Sequence, residues 1–65
     1  MTKIFYVVYS IHGHEEEVRF DYIPEKISSD EIKLNNYLKI KISKQEHVEE
    51  DEISINGVTC TLKSD

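Results

Sequence analysis

The chain has 65 residues, of which 38% are hydrophobic, so it holds material for one small domain near the lower size limit for independent folding. Eight basic residues against 13 acidic ones give a net charge of -5, which disfavours non-specific attachment to nucleic acid or to an anionic membrane. The single cysteine excludes an intramolecular disulfide and a zinc site built on paired cysteines. Because the longest apolar run is too short to span a membrane, we expect a cytoplasmic protein with a single domain, 1–65.

Residues 4–11 form an apolar run, and a second run with alternating apolar and polar residues follows shortly after Gly13. This pattern predicts a β-hairpin, with a two-residue turn at Gly13 and His14. In that register Val7 faces Phe20, and one face of the hairpin is wholly apolar.

The middle of the chain allows two interpretations. Ser28 and Glu31 have the spacing of a capping box, which favours a short helix that ends near Asn35 and Asn36. The alternative is a strand over residues 31–34 that turns into the next strand. Beyond it, strict alternation predicts a half-buried strand whose inward side chains are Leu38, Ile40 and Ile42.

The C-terminal part gives the strongest local signal for a hairpin. Asn56 and Gly57 form the dipeptide that type I′ turns prefer, and β-branched residues lie on both sides of it. We therefore expect residues 53–55 to pair with residues 58–62. In this hairpin Cys60 faces the core.

These elements predict a mainly β protein, bordering on α+β, with the order β-β-(short α)-β-β-β. A small antiparallel five-stranded curled sheet or open barrel fits this order best. The alternative is a β-grasp-like sheet with one helix across a face.

No catalytic constellation is visible in the sequence, so we expect a protein that is not an enzyme and that needs no metal or cofactor. His12 and His14 flank a glycine beside three glutamates, but such a turn lacks partners that would orient metal ligands. His47 could join them only if the two loops met. Cys60 is expected to be an inert core thiol.

The acidic residues are the most abundant surface feature of the sequence. Solvated loops explain such runs, but carboxylates held on rigid strands can also bind an Arg- or Lys-rich groove and imitate a phosphate backbone. The leading hypothesis is an interaction protein that binds, and thereby inhibits, a basic nucleic-acid-handling partner. In size, charge and composition the chain is similar to small phage-encoded inhibitors, although no particular residue carries this similarity. The partner-binding candidates are Glu15, Glu16, Glu17, Asp21, Glu46, Glu49, Glu50, Asp51 and Glu52.

Two further hypotheses compete with this one. The first is a small barrel that binds single-stranded nucleic acid through a basic strip with one aromatic residue, formed by Lys33, Tyr37, Lys39, Lys41 and Lys44. The second is a structural homodimer or larger homo-oligomer that buries the mixed face of the first hairpin, which carries Tyr6 and Val8.

Overall fold

A computed structural model describes residues 2–63 as one open, three-stranded antiparallel sheet with helices on one face. The strand order is β2-β1-β3, so β1 is the central strand. The predicted five-stranded sheet is therefore wrong. The β-grasp-like alternative is wrong in its sheet, which has three antiparallel strands here, but a helix does pack across one face, as that alternative expected. The elements in chain order are β1 (Thr2–Ile11), β2 (His14–Phe20), α1 (Glu25–Ser28), α2 (Glu31–Glu46), a 3-10 turn (Glu50–Glu52) and β3 (Ile53–Lys63).

The first hairpin forms as expected, but its turn lies one residue earlier than predicted. His12 and Gly13 are the two turn residues, with φ of 53° and 82°, and a type I′ turn needs positive φ at both positions. Val7 therefore faces Val18 rather than Phe20. Because the register differs by two residues, an even number, the predicted apolar face is kept.

The long helix α2 occupies the segment that alternation predicted to be a strand. Asp30 caps it, since its Oδ1 accepts hydrogen bonds from the backbone N–H groups of Ile32 and Lys33 at 3.0 and 3.1 Å. Leu38 and Ile42, four residues apart, are fully buried, whereas Ile40 is 41% exposed. The helical spacing of apolar residues thus overrides the alternation, and the helix continues through the two asparagines that were expected to end it.

The predicted C-terminal hairpin is also wrong, because residues 53–63 form the single strand β3. This strand makes ten residue pairs with β1, against three pairs in the expected hairpin, so it satisfies more backbone hydrogen bonds. The register shifts by one residue at Asn56 and Gly57, which form a β-bulge instead of a turn. The bulge keeps Ile55 and Cys60 on the same face of the sheet, but Cys60 is exposed rather than buried.

The core lies between α2 and one face of the sheet. Its buried members are Phe5, Val7, Tyr9, Ile23, Leu38, Ile42 and Ile53. On the other face, called here the open face, β1 places Ile4, Tyr6 and Val8. Ile4 is buried there, outside the main core cluster, and Tyr6 and Val8 are half-buried. Of the two helices in residues 2–63, neither combines the length and the apolar character that crossing a membrane requires.

Candidate acidic binding surface

The topology brings the two acidic runs of the sequence to the same end of the molecule. β1 ends at the hairpin turn, β2 begins there, and β3 begins opposite Ile11. The hairpin supplies three carboxylates and residues 46–52 supply five, which together are eight of the 13 acidic residues. We call this set the acidic end: Glu15, Glu16, Glu17, Glu46, Glu49, Glu50, Asp51 and Glu52.

Two side-chain contacts join these runs. Nε2 of His12, in the hairpin turn, lies 2.9 Å from Oε1 of Glu52, although the residues are 40 positions apart. The hydroxyl of Tyr9 donates a hydrogen bond of 3.1 Å to Oε1 of Glu46, the last residue of α2. The hairpin, the helix end and the 3-10 turn are thus connected directly.

The chain between α2 and β3 is shaped by its own capping interactions. His47 has φ of 59° and ends α2 in the left-handed conformation. In the 3-10 turn, the backbone N–H of Glu49 donates to Oε2 of Glu52 at 2.8 Å. This hydrogen bond, and then the contact with His12, holds the pKa of Glu52 below its ordinary value. Glu52 is therefore ionised at neutral pH.

The carboxylates of the hairpin point to both faces of the sheet. Glu15 and Glu17 lie opposite Ser10 and Val8 on the open face, whereas Glu16 lies opposite Tyr9 on the face that carries α2. The acidic end therefore presents negative charge in several directions around the hairpin turn.

Asp21 does not belong to the acidic end. It follows β2 at the opposite end of that strand, and its Oδ1 lies 2.8 Å from Nε of Arg19. Eight of the nine predicted partner-binding residues thus lie together, and Asp21 lies apart.

Tyr9 and His12 contribute to this end in a way that the sequence did not reveal. Tyr9 is only 2% exposed, and its burial, followed by the hydrogen bond to Glu46, raises the pKa of its hydroxyl. From sequence, Tyr9 belonged to the apolar face and His12 to a solvated turn. Their partners lie 37 and 40 positions away, so no local pattern predicts the contacts.

The residues of the predicted basic strip all lie on α2 rather than on a barrel strand. Spacings of three and four residues place Lys33, Tyr37, Lys41 and Lys44 on one side of the helix. Nζ of Lys41 lies 5.5 Å from the centre of the Tyr37 ring, a cation–π contact. Lys39 lies on a different side of the helix.

Within residues 2–63, the histidine, cysteine, aspartate and glutamate side chains form no group of three that could hold a metal ion. The hairpin turn and the 46–52 segment do meet, as a metal site that included His47 would require. The contact that joins them is the one between His12 and Glu52.

No protein-family model, no curated protein and no solved structure matches the chain. Fold alone does not determine function, so the functional argument depends on the chemistry of the surface itself.

Proposed function

We propose that the chain is an interaction protein whose acidic end binds a basic surface of a partner protein. The observation that carries the proposal is the contact between His12 and Glu52, because it joins the acidic hairpin to the acidic segment 46–52. Eight carboxylates then act together rather than as two separate solvated runs.

A rigid array of this kind is suited to recognising arginine and lysine side chains. Clustered negative charge accelerates association with a positive groove, and each carboxylate can accept charge-assisted hydrogen bonds. Because the carboxylates are held by β2, α2 and the 3-10 turn, less conformational entropy is lost on binding than with a disordered acidic tail.

The same chemistry defines the proposed class of partner. Proteins that handle nucleic acids have basic grooves that accept phosphates, and carboxylates held at a rigid end can occupy such a groove. We therefore propose a nucleic-acid-handling protein as the partner, with inhibition by direct occupation of its groove. No catalytic step is assigned to this chain.

The test compares two triple variants that change the net charge equally. Glu15, Glu16 and Glu17 are replaced by Lys in the first, and the matched control replaces Asp21, Glu25 and Glu31, which lie outside the acidic end. Affinity for a partner recovered by pull-down is measured by calorimetry, and thermal melting confirms that both variants fold. We expect the hairpin variant to lose at least about tenfold in affinity, equivalent to about 1.4 kcal/mol, and the control to lose much less.

Salt provides the second measurement. We expect the complex to dissociate as salt rises from about 0.1 M to about 1 M, where the Debye length falls from about 10 Å to about 3 Å. A complex that survives high salt and is disrupted by substituting Tyr6 or Val8 would refute the acidic-end mechanism. The partner would then bind the open face.

A second candidate function, binding of single-stranded nucleic acid, is favoured by one observation. Lys33, Tyr37, Lys41 and Lys44 lie on one side of α2, so a backbone could follow three lysines past an aromatic ring. Labelled single-stranded DNA and RNA are titrated at low salt with the protein and with a Lys33, Lys41 and Lys44→Glu variant. Lys39→Glu, on another side of the helix, is the control. Salt-sensitive binding that only the triple variant loses would favour this candidate, whereas the acidic-end proposal predicts no binding.

A further inference from the structure

β3 is an edge strand whose outer side is unpaired within residues 2–63. Every residue from Asn56 to Lys63 is exposed, including Val58 at 37% and Leu62 at 61%. Among the described residues, none of the backbone hydrogen bonds that lie outside the helices and the sheet involves β3. Its outer side therefore offers free backbone donors and acceptors to another strand.

The two edges of the sheet differ sharply in charge. β2, the other edge, has four charged residues among seven, and two such edges would repel each other. β3 carries no charged residue from Ile53 to Leu62. Charged side chains are a common means by which edge strands avoid pairing with other chains, and β3 has none until its last residue, Lys63.

The register shows which backbone groups of β3 point outward. Ile11 and His14 flank a two-residue turn and so form a hydrogen-bonded pair, and the pattern alternates along β1 from that point. The odd-numbered residues of β1 bond to β2 and the even-numbered ones bond to β3. Thr59 and Thr61, opposite even-numbered residues, therefore bond inward, and the N–H and C=O groups of Val58, Cys60 and Leu62 point outward.

We propose that β3 is the interface with a second copy of this chain. The two β3 strands pair antiparallel about a twofold axis at Cys60, which extends the two sheets into one six-stranded sheet. This proposal concerns a different surface from the acidic end and does not depend on the proposed function.

The sequence of β3 around Cys60 has the symmetry that a twofold interface requires. Residues 58–62 read Val-Thr-Cys-Thr-Leu, so the pairing places Val58 opposite Leu62, Thr59 opposite Thr61 and Cys60 opposite its own copy. The valine, cysteine and leucine side chains all lie on the face that carries α2. The apolar side chains left exposed in one copy thus cover those of the other, and the threonines form a second row on the open face.

Electrostatics selects the antiparallel direction. Each copy has a net charge of -5, and its acidic end lies where β3 begins. Antiparallel pairing places the two acidic ends at opposite ends of the extended sheet. Parallel pairing would bring them side by side, where like charges repel.

The first test is the oligomeric state of the full chain, measured by sedimentation from about 10 μM to about 1 mM, the range of a weak interface. We expect a dimer whose fraction increases with concentration. Cys60→Lys places two lysines opposite each other at the axis, and we expect it to be monomeric throughout. His14→Lys introduces the same lysine at an exposed position of the other edge strand and is the matched control, which should still dimerise.

The second test determines the register, and it uses chains without the lysine substitution. Cys60 pairs with Cys60 of the other copy at a Cα separation of about 5.5 Å, within the range that a disulfide spans. Diamide, which takes up the two electrons and two protons of the thiols, should link the dimer rapidly. In the variant Cys60→Ser/Leu62→Cys the two cysteines are offset by four residues, about 13 Å, and should link at least tenfold more slowly.

Three outcomes would overturn the proposal. One is a wild-type protein that is monomeric at every concentration. Another is equal cross-linking rates for cysteines at positions 60 and 62. The third is a dimer that persists in Cys60→Lys and dissociates in Tyr6→Glu, which would place the interface on the open face.

Discussion

Tyr9 combines a buried ring with a hydrogen bond to the acidic end. Its hydroxyl holds Glu46 in place at the C-terminal end of α2, at the point where the sheet, the helix and the acidic segment meet. A phenylalanine would fill the same space in the core but would leave this carboxylate without its donor.

We predict that Tyr9→Phe lowers the free energy of unfolding by about 0.5–1.5 kcal/mol, the usual contribution of one hydrogen bond. The raised pKa of Tyr9 means that its contribution is complete below the ordinary phenol value and is lost as pH rises through the folded-state value. Denaturant unfolding at neutral and alkaline pH measures both effects. Tyr22→Phe, at a side chain that is 74% exposed, is the control. Equal behaviour of the two variants would contradict the hydrogen bond to Glu46.

Glu52 gives a prediction at acidic pH. Its lowered pKa means that the carboxylate stabilises the fold above the ordinary glutamate value and loses this effect as pH falls through the folded-state value. We therefore expect the stability difference between the wild type and Glu52→Gln to be largest at neutral pH and to shrink in acid. Thermal melts over a pH series measure it, and Glu50→Gln is the neighbouring control. A difference that does not vary with pH would show that the contacts of Glu52 with Glu49 and His12 do not depend on its charge.

At the scale of elements, the residue that caps the start of α2 is not the predicted one. The sequence favoured Ser28 as the capping residue, whereas Asp30 accepts the two N–H hydrogen bonds in the structure. We predict that Asp30→Ala costs about 0.5–2 kcal/mol of stability, the range for loss of a helix cap, and that Ser28→Ala costs less. Urea unfolding of the two variants checks this. The reverse order of costs would restore the capping box of Ser28 and Glu31.

The misassigned elements share a physical cause, which is that long-range pairing outweighs local preference. Asn56 and Gly57 favour a turn by a small local energy, but pairing with the free edge of β1 satisfies a whole strand of backbone groups. Asn35 and Asn36 each disfavour a helix by less than about 1 kcal/mol. Burying Leu38 outweighs that cost, because a core leucine contributes about 2–5 kcal/mol.

The features that the sequence predicted correctly are those that depend on local geometry. The first hairpin and its apolar face follow from a glycine between two runs, and the composition of the acidic end is visible in the sequence. That Glu15 and Glu52 belong to one surface could not be predicted, since their proximity follows from β3 pairing with β1. The prediction paired the two halves of β3 with each other instead of with β1. The candidate site was therefore predicted as two separate parts.

For the whole molecule, the concentration of carboxylates at one end opposes folding through mutual repulsion. We predict that raising salt from about 10 mM to about 150 mM increases the melting temperature, because the Debye length falls from about 30 Å to about 8 Å and screens this repulsion. Replacing Glu15, Glu16 and Glu17 by Gln should reduce the salt effect. The control replaces Asp21, Glu25 and Glu31 by Gln and removes the same charge elsewhere. Equal salt effects in the two variants would mean that the carboxylates of the acidic end do not act together.

The pairing of β1 with β3 also brings the first and last described residues together. Thr2 and Lys63 face each other on β1 and β3, at the end of the sheet away from the hairpin turn. A short linker between these two positions would close the backbone into a ring without touching the acidic end, and would reduce the entropy of the unfolded chain. The fold is thus suited to cyclisation that leaves the hairpin turn at His12 and Gly13 intact.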